Sequence, residues 1–174
     1  MDESETAEDR PLRLDRWLPY RLFIVSARVA ELLADYYGRR YGLTQRSWRV
    51  LAVVGDKPGL SAREIKHASG LDQFAVSRAI AQLQELGYAH RNPAGSDRRR
   101  AEVFLTREGR SVLLSLSRVA LAIEGELLAG VSAKSRHELD KLLAEIDKAS
   151  AGLVSRGLGA ILPDLDRTSS DEAD

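Results

Sequence analysis

The chain has 174 residues, 44% of them hydrophobic, which is enough for one folded domain with an attached helical part. It contains no cysteine, which excludes disulfide scaffolds, thiolate metal sites and redox sensing by thiols. The formal net charge is zero, but residues 1–10 and 164–174 each carry five acidic residues and one arginine. The segment between them therefore carries eight excess positive charges, which permits a nucleic-acid partner.

The two ends of the chain are acidic and lack apolar periodicity. We expect disordered tails at residues 1–10 and 163–174. No apolar run reaches about 18 residues, and the first residues are not a basic stretch leading into an apolar one, so we expect a cytoplasmic protein without a membrane partner. The histidines at 67, 90 and 137 lie far apart and no two are spaced i, i+4, so we expect no metal site and no cofactor.

The first two helices follow from apolar periodicity. The stretch Leu14–Tyr41 predicts a long helix, in which Pro19 is tolerated because it falls in the first turns. Gly42 ends this helix, and the hydroxyl of Thr44 caps a short second helix that stops at Gly55.

The next two helices form a helix-turn-helix candidate. Ser61 and Glu64 have the capping-box spacing and predict a third helix to about Ser69. After the break at Gly70, Asp72 is a good N-cap for a fourth helix, whose apolar residues recur every three or four positions.

Residues 88–105 predict a β-hairpin, because turn residues separate two short strand-like segments. Thr106 then caps a fifth helix reaching about Gly130, and Ser132 caps a sixth reaching about Ser155. A 25-residue helix spans about 38 Å, longer than so small a domain needs. We therefore expect the first and last helices to interlock with a second copy in a homodimer.

Several segments, in this order, resemble the MarR family of transcriptional regulators. They are Leu60–Ile65, Gly70–Asp72, Val76–Arg78, Leu83–Gly87, Ser96–Arg100 and Leu105–Gly109. The resemblance implies a mainly α fold with a small β-hairpin wing, a winged helix-turn-helix with long N- and C-terminal dimerisation helices. We expect an N-terminal dimerisation helix over 11–43, a DNA-binding lobe over 44–106 and C-terminal dimerisation helices over 107–162.

The resemblance also implies that the fourth helix lies in the major groove of double-stranded DNA and the wing in the adjacent minor groove. Glutamine pairs well with adenine and arginine with guanine, and a serine hydroxyl suits a phosphate. We expect a DNA-binding site formed by Ser61, Gln73, Ala75, Ser77, Arg78, Asp97, Arg98, Arg99 and Arg100. Alternatively, the wing arginines form a solvated basic turn.

Asp97 and Phe74 differ from these direct DNA contacts. By resemblance to the family wing, Asp97 orients an arginine while Arg98 or Arg99 enters a narrow minor groove. Phe74 stands where the family often has a small polar residue, and it either packs under the turn or touches a thymine methyl group.

Family members commonly bind small anionic aromatic compounds between the dimerisation helices and the DNA-binding lobe. The candidate ligand-binding residues here are Tyr20, Arg21, Ile24, Arg28, Trp48 and His67. Arg21 and Arg28 lie seven residues apart on one helical face and could hold a carboxylate on which Trp48 stacks. In the alternative reading, each arginine pairs with Glu31, Glu124 or Glu126 across the dimer, Trp48 is core, and His67 is a lone exposed histidine.

The function that these patterns favour is a transcriptional repressor that leaves a palindromic operator when it binds a small aromatic acid or its thioester, as in aromatic-compound catabolism. An enzyme is disfavoured, because no nucleophile–base pair, metal cluster or phosphate-binding glycine loop is apparent. Two alternatives stay open: a DNA-binding regulator without a ligand, and a winged-helix module that binds another protein.

Overall fold

The computed structural model describes residues 11–94 and 97–161, and of residues 93, 94 and 97–100 it describes the backbone alone. The acidic tails predicted at 1–10 and 163–174 lie outside the described residues. The elements, in chain order, are α1 (Leu18–Tyr41), α2 (Gln45–Asp56), β1 (Leu60–Ser61), α3 (Ala62–Ser69), α4 (Gln73–Glu85), β2 (Ala89–Ala94), β3 (Asp97–Leu105), α5 (Arg107–Leu127), α6 (Ala133–Arg156) and a short 3-10 turn (Leu158–Ala160).

The mainly α fold with a small wing is confirmed, with one difference at the end of α2, which continues through Gly55 to Asp56, and another at the start of α1. The prediction that this helix begins near Leu14 is wrong: it begins at Leu18, after a turn in which the amide of Trp17 donates to the carbonyl of Arg13. Pro19 explains the later start, because inside a longer helix its ring would clash with the carbonyl four residues earlier.

The predicted caps are confirmed. Thr44 and Ser61 each close a capping box at the start of α2 and α3, and Ser132 accepts from the amide of Ser135 at the start of α6. The hydroxyl of Thr106 accepts from the amide of Gly109 and so caps α5. Each of these side chains accepts a hydrogen bond from a backbone amide that has no partner within its own helix.

The wing belongs to a three-stranded antiparallel sheet with the order β1-β3-β2, rather than to a hairpin alone. The two-residue strand β1 pairs Leu60 with Val103 and Ser61 with Glu102. Strands β2 and β3 pair from Ala89 opposite Leu105 outward, with an irregularity at Pro93 and Ala94. The sheet therefore ties the start of α3 to the base of the wing.

The described residues divide into two compact units, one reaching to Glu124 and one beginning at Gly125. The first unit has a core to which α1, α2, α3, α4, the sheet and the first part of α5 contribute; its fully buried side chains include Leu51, Ile65, Ile80, Val103 and Leu116. This core buries one face of α4 and leaves the opposite face exposed.

The second unit contains α6, and none of the residues of this helix is buried. Within it, the guanidinium of Arg136 donates to the carbonyls of Leu128 and Val131 and so closes the turn before α6. Among the described residues, no helix has both the length and the apolar character needed to cross a bilayer.

Candidate nucleic-acid interface

Helix α4, the second helix of the helix-turn-helix, has one apolar face and one exposed face. Ala75, Val76, Ala79, Ile80 and Leu83 are buried in the core of the first unit. The side chains exposed on the first turns are those of Gln73, Phe74, Ser77 and Arg78. Because positions four apart share a helical face, Gln73 lies over Ser77 and Phe74 lies over Arg78.

Asp72 fixes the start of this helix. Its carboxylate accepts from the amide of Ala75 at 2.8 Å. This bond, with smaller contributions from the amide of Phe74 and the charges of Arg46 and Arg78, lowers the pKa of Asp72 below its ordinary value of 3.8. The charged carboxylate is thus held at the helix N-terminus, where it also interacts favourably with the helix dipole.

The turn between α3 and α4 has its own fixed geometry. Gly70 ends α3 with a φ of 66°, a left-handed conformation that a residue with a side chain rarely adopts. The guanidinium of Arg49 on α2 donates to the carbonyl of Ser69 at 3.4 Å, and the hydroxyl of Ser69 accepts from the amide of Leu71 at 3.3 Å. The turn is therefore tied to α2.

A second connection links α4 to the end of α1. The side-chain amide of Gln82 donates to the carbonyl of Gly42 at 2.9 Å, and its oxygen accepts from the hydroxyl of Thr44 at 3.1 Å. The middle of α4 is thereby held against the α1–α2 turn.

The wing is anchored by its contact with α5. The carbonyl of Tyr88, just before β2, accepts from the amide of Thr106 at 3.0 Å. A Cβ atom at Gly109 would overlap the Tyr88 carbonyl oxygen, so only glycine lets α5 approach this closely. Further out, the rings of His90 and Phe104 stack with centroids 5.8 Å apart.

Not all of the residues expected to read DNA are brought together. Gln73, Ser77 and Arg78 share the exposed face, whereas Ala75 is 2% exposed and lies in the core, so a DNA contact by Ala75 stays a prediction. The hydroxyl of Ser61 is bonded to the carboxylate of Glu64 at 2.6 Å, which gives it a capping role within α3. The side chains of Asp97, Arg98, Arg99 and Arg100 lie outside what the structure describes.

Phe74 is the residue of this face whose role the sequence left open. Its side chain is 78% exposed, so it does not pack under the helix-turn-helix turn. The ring instead projects from the first turn of α4, beside Gln73 and above Arg78.

The first unit also contains two adjoining cavities between α1 and α2, of about 240 and 390 Å³. Ser26, Ala30, Gln45 and Arg49 line both of them. The small side chains on α1 leave the space open, and Arg49 adds a positive charge to it. Glu31 adds a negative charge to the larger cavity, so the smaller one is better suited to a small anionic molecule.

Of the residues expected to bind a ligand, Trp48 lines the smaller cavity and stacks on Tyr37 with ring centroids 6.3 Å apart. The other five line neither cavity: Tyr20 and Ile24 are half-buried, and Arg21, Arg28 and His67 are exposed. A part for these five in ligand binding stays a prediction.

Tyr37 and Arg49 also line the smaller cavity, and no sequence pattern indicated them as ligand-binding residues. Tyr37 is 2% exposed, and within the described part of the chain its hydroxyl has no hydrogen-bond partner. Burial raises the pKa of this hydroxyl, an effect that the charge of Arg49 partly offsets. Because it stays protonated at neutral pH, the hydroxyl can donate a hydrogen bond to an acceptor in the cavity.

Comparison with known proteins shows which family this chain is similar to. The family model described as "MarR family" matches residues 41–100, which run from the end of α1 into the wing. A MarR-family transcriptional regulator from Silicibacter pomeroyi is 26% identical, with a TM-score of 0.71, and the match covers 83% of this chain and 97% of that one.

Two further structures share the fold at lower identity. A MarR/EmrR family transcriptional regulator from Acinetobacter sp. ADP1 is 23% identical, with a TM-score of 0.73 and coverage of 82% of this chain and 100% of that one. BpsR from Bordetella bronchiseptica is 21% identical, with a TM-score of 0.68 and coverage of 79% and 98%. Residues 41–100 of this chain therefore match the MarR family model, and the chain has the winged helix-turn-helix fold of MarR-family transcriptional regulators.

Proposed function

We propose that this protein is a homodimeric repressor that binds a palindromic operator, with α4 in the major groove and the wing in the neighbouring minor groove. The observation that carries the proposal is the exposed face of α4. Gln73, Ser77 and Arg78 project from it while the opposite face is fixed in the core. A glutamine and an arginine near the start of a recognition helix are the side chains that pair best with adenine and guanine edges.

The exposed apolar side chains of the terminal helices support a dimer. On α6, Leu139, Leu142, Leu143 and Ile146 recur at helical spacing and are 36–55% exposed. A helix with such a stripe and no buried residue needs a partner surface. A second copy of the chain is the partner that also gives two recognition helices for a palindrome.

We propose that the effector is a small aromatic carboxylate or its thioester, bound in the cavities between α1 and α2. The buried Tyr37 hydroxyl and the Arg49 guanidinium offer a hydrogen bond and a charge, and Trp48 offers a ring for stacking. DNA binding by the similar protein BpsR is regulated by 6-hydroxynicotinic acid, an aromatic carboxylic acid.

Arg49 gives such an effector a route to the recognition helix, since it both lines the cavities and bonds the carbonyl of Ser69. A ligand carboxylate would compete for this guanidinium, because a charged acceptor binds it more strongly than a carbonyl does. Loss of the bond to Ser69 would loosen the turn before α4. The ligand would then favour forms of the dimer whose recognition helices do not fit the two half-sites.

The test is binding of the full-length protein to the DNA upstream of its own gene, at a stated salt concentration, with and without aromatic carboxylates and their thioesters. We expect sequence-specific, salt-sensitive binding that one class of compound releases. Specific binding that no compound releases would remove the effector part. Binding no tighter than to scrambled DNA would contradict the operator part.

A further inference from the structure

Phe74 is unusual among the exposed apolar residues of this protein. Among the described residues, every other large hydrophobic side chain that is exposed lies before Tyr41 or after Leu113. Those positions belong to α1, α5, α6 and the segments next to them, which the proposed dimer would cover. Phe74 stands apart, so dimerisation by those helices does not account for its exposure.

The first unit does not account for Phe74 either. Its ring is not among the apolar side chains packed on the core of the described residues, and it is 78% exposed. A single exposed apolar side chain is common on protein surfaces, so exposure alone assigns nothing. Its position is the informative observation. Phe74 is the second residue of α4, next to Gln73 and one helical turn before Arg78.

We infer that Phe74 determines operator specificity by packing its ring against the C5 methyl group of a thymine in the major groove. This inference rests on the proposed DNA-binding function, and it names one base, a thymine, that each operator half-site must contain. The thymine methyl is the one apolar group that a base pair of unmodified DNA presents in the major groove, and apolar side chains such as phenylalanine recognise it.

The spacing of the side chains limits where this thymine can stand. Phe74 and Arg78 lie one helical turn apart, about 5.4 Å along the axis. Successive base pairs rise by about 3.4 Å. If Arg78 pairs with a guanine, the thymine that Phe74 contacts therefore lies one or two base pairs from that guanine in each half-site.

The test combines a change in the protein with a change in the DNA. A duplex is first selected by the full-length protein from a randomised library, and each thymine is then replaced by deoxyuridine, which differs only in lacking the methyl group. We expect replacement at one position of each half-site to weaken binding about fourfold, and replacement at both to weaken it about fifteenfold, from the burial of one methyl group per site.

The Phe74→Ala variant should bind thymine and deoxyuridine duplexes equally, whereas Phe74→Leu should keep part of the preference. Gln84→Ala is the matched control, because Gln84 is exposed on the last turn of the same helix, away from Phe74. It should keep the full preference. Since Phe74 has no packing partner in the core, the alanine variant should melt at the temperature of the wild type.

Three results would overturn the inference. If wild-type protein prefers the selected duplex but tolerates deoxyuridine at every position, Phe74 does not read a methyl group and the operator proposal survives. The same conclusion follows if Phe74→Ala keeps the deoxyuridine penalty. If the library yields no preferred sequence, the proposed function fails and this inference fails with it.

Discussion

The side-chain nitrogen of Gln82, in the middle of α4, lies 2.9 Å from the carbonyl oxygen of Gly42 at the end of α1. Gly42 is the C-cap of α1, and the carbonyls at the end of a helix lack a hydrogen-bond partner within that helix. One amide side chain thus satisfies this group and holds α4 against the α1–α2 turn.

Replacing Gln82 with alanine should remove both of its hydrogen bonds. We expect the free energy of unfolding to fall by about 1–2 kcal/mol, and operator affinity to fall as well because α4 is less well oriented. Denaturant unfolding and DNA titration measure the two effects. Gln84→Ala, the same change two residues on at an exposed site, should alter neither.

Asp72 predicts a specific response to acid. In the folded state the amide of Ala75 lowers the pKa of Asp72 below its ordinary value of 3.8. The stability that the charged carboxylate contributes is therefore complete above pH 3.8 and is lost as the pH falls through the folded-state pKa. Asp72→Ala should lower the melting temperature at neutral pH. The Asp72→Asn variant keeps the N-cap hydrogen bond but has no carboxyl group to titrate. Below about pH 4 the wild type should therefore lose stability relative to this variant. A constant difference between the two across this range would contradict the role of the charge.

Gly109→Ala should be strongly destabilising, because the new methyl group would overlap the backbone carbonyl of Tyr88. We expect a loss of roughly 1–3 kcal/mol in thermal or denaturant unfolding, since backbone cannot move aside as a side chain can. Gly38→Ala is the control: its Cβ would meet the Leu43 carbonyl oxygen at an ordinary 3.7 Å, and α1 should gain about 0.5–1 kcal/mol from the better helix former. Similar effects of the two changes would show that the close approach of α5 is not required.

Tyr37→Phe separates a ligand role from a structural one. Removing a buried hydroxyl without a partner should leave stability unchanged or raise it by about 1 kcal/mol. Release of DNA by an aromatic carboxylate should need a higher concentration of that compound. A variant that loses stability while keeping the wild-type ligand response would contradict the proposal for this hydroxyl.

The helix order and the caps could be predicted because each depends on residues close in sequence. Asp72, Ser61 and Thr106 reach an amide only three residues away, so spacing alone identifies them. The strand β1 could not be predicted, because its two residues are too few to show alternation. It forms only because β3 lies beside it in the fold.

The site was predictable in part for the same reason. Arg78 and Gln73 follow from their place at the start of α4, but burial of Ala75 depends on how that helix is rotated against the core. The cavity residues Tyr37 and Arg49 come together only through the packing of α1 on α2. Contacts of this kind depend on tertiary structure, which local spacing does not record.

In the proposed function the exposed face of α4 selects a DNA sequence, and the Arg78→Ala variant tests this role most directly. The quantity to measure is the ratio of affinities for the selected duplex and for scrambled DNA, at fixed salt, with the oligomeric state followed by sedimentation. We predict that Arg78→Ala lowers this ratio by about 10- to 100-fold while the protein keeps its wild-type oligomeric state. An unchanged ratio in the folded variant would contradict the claim.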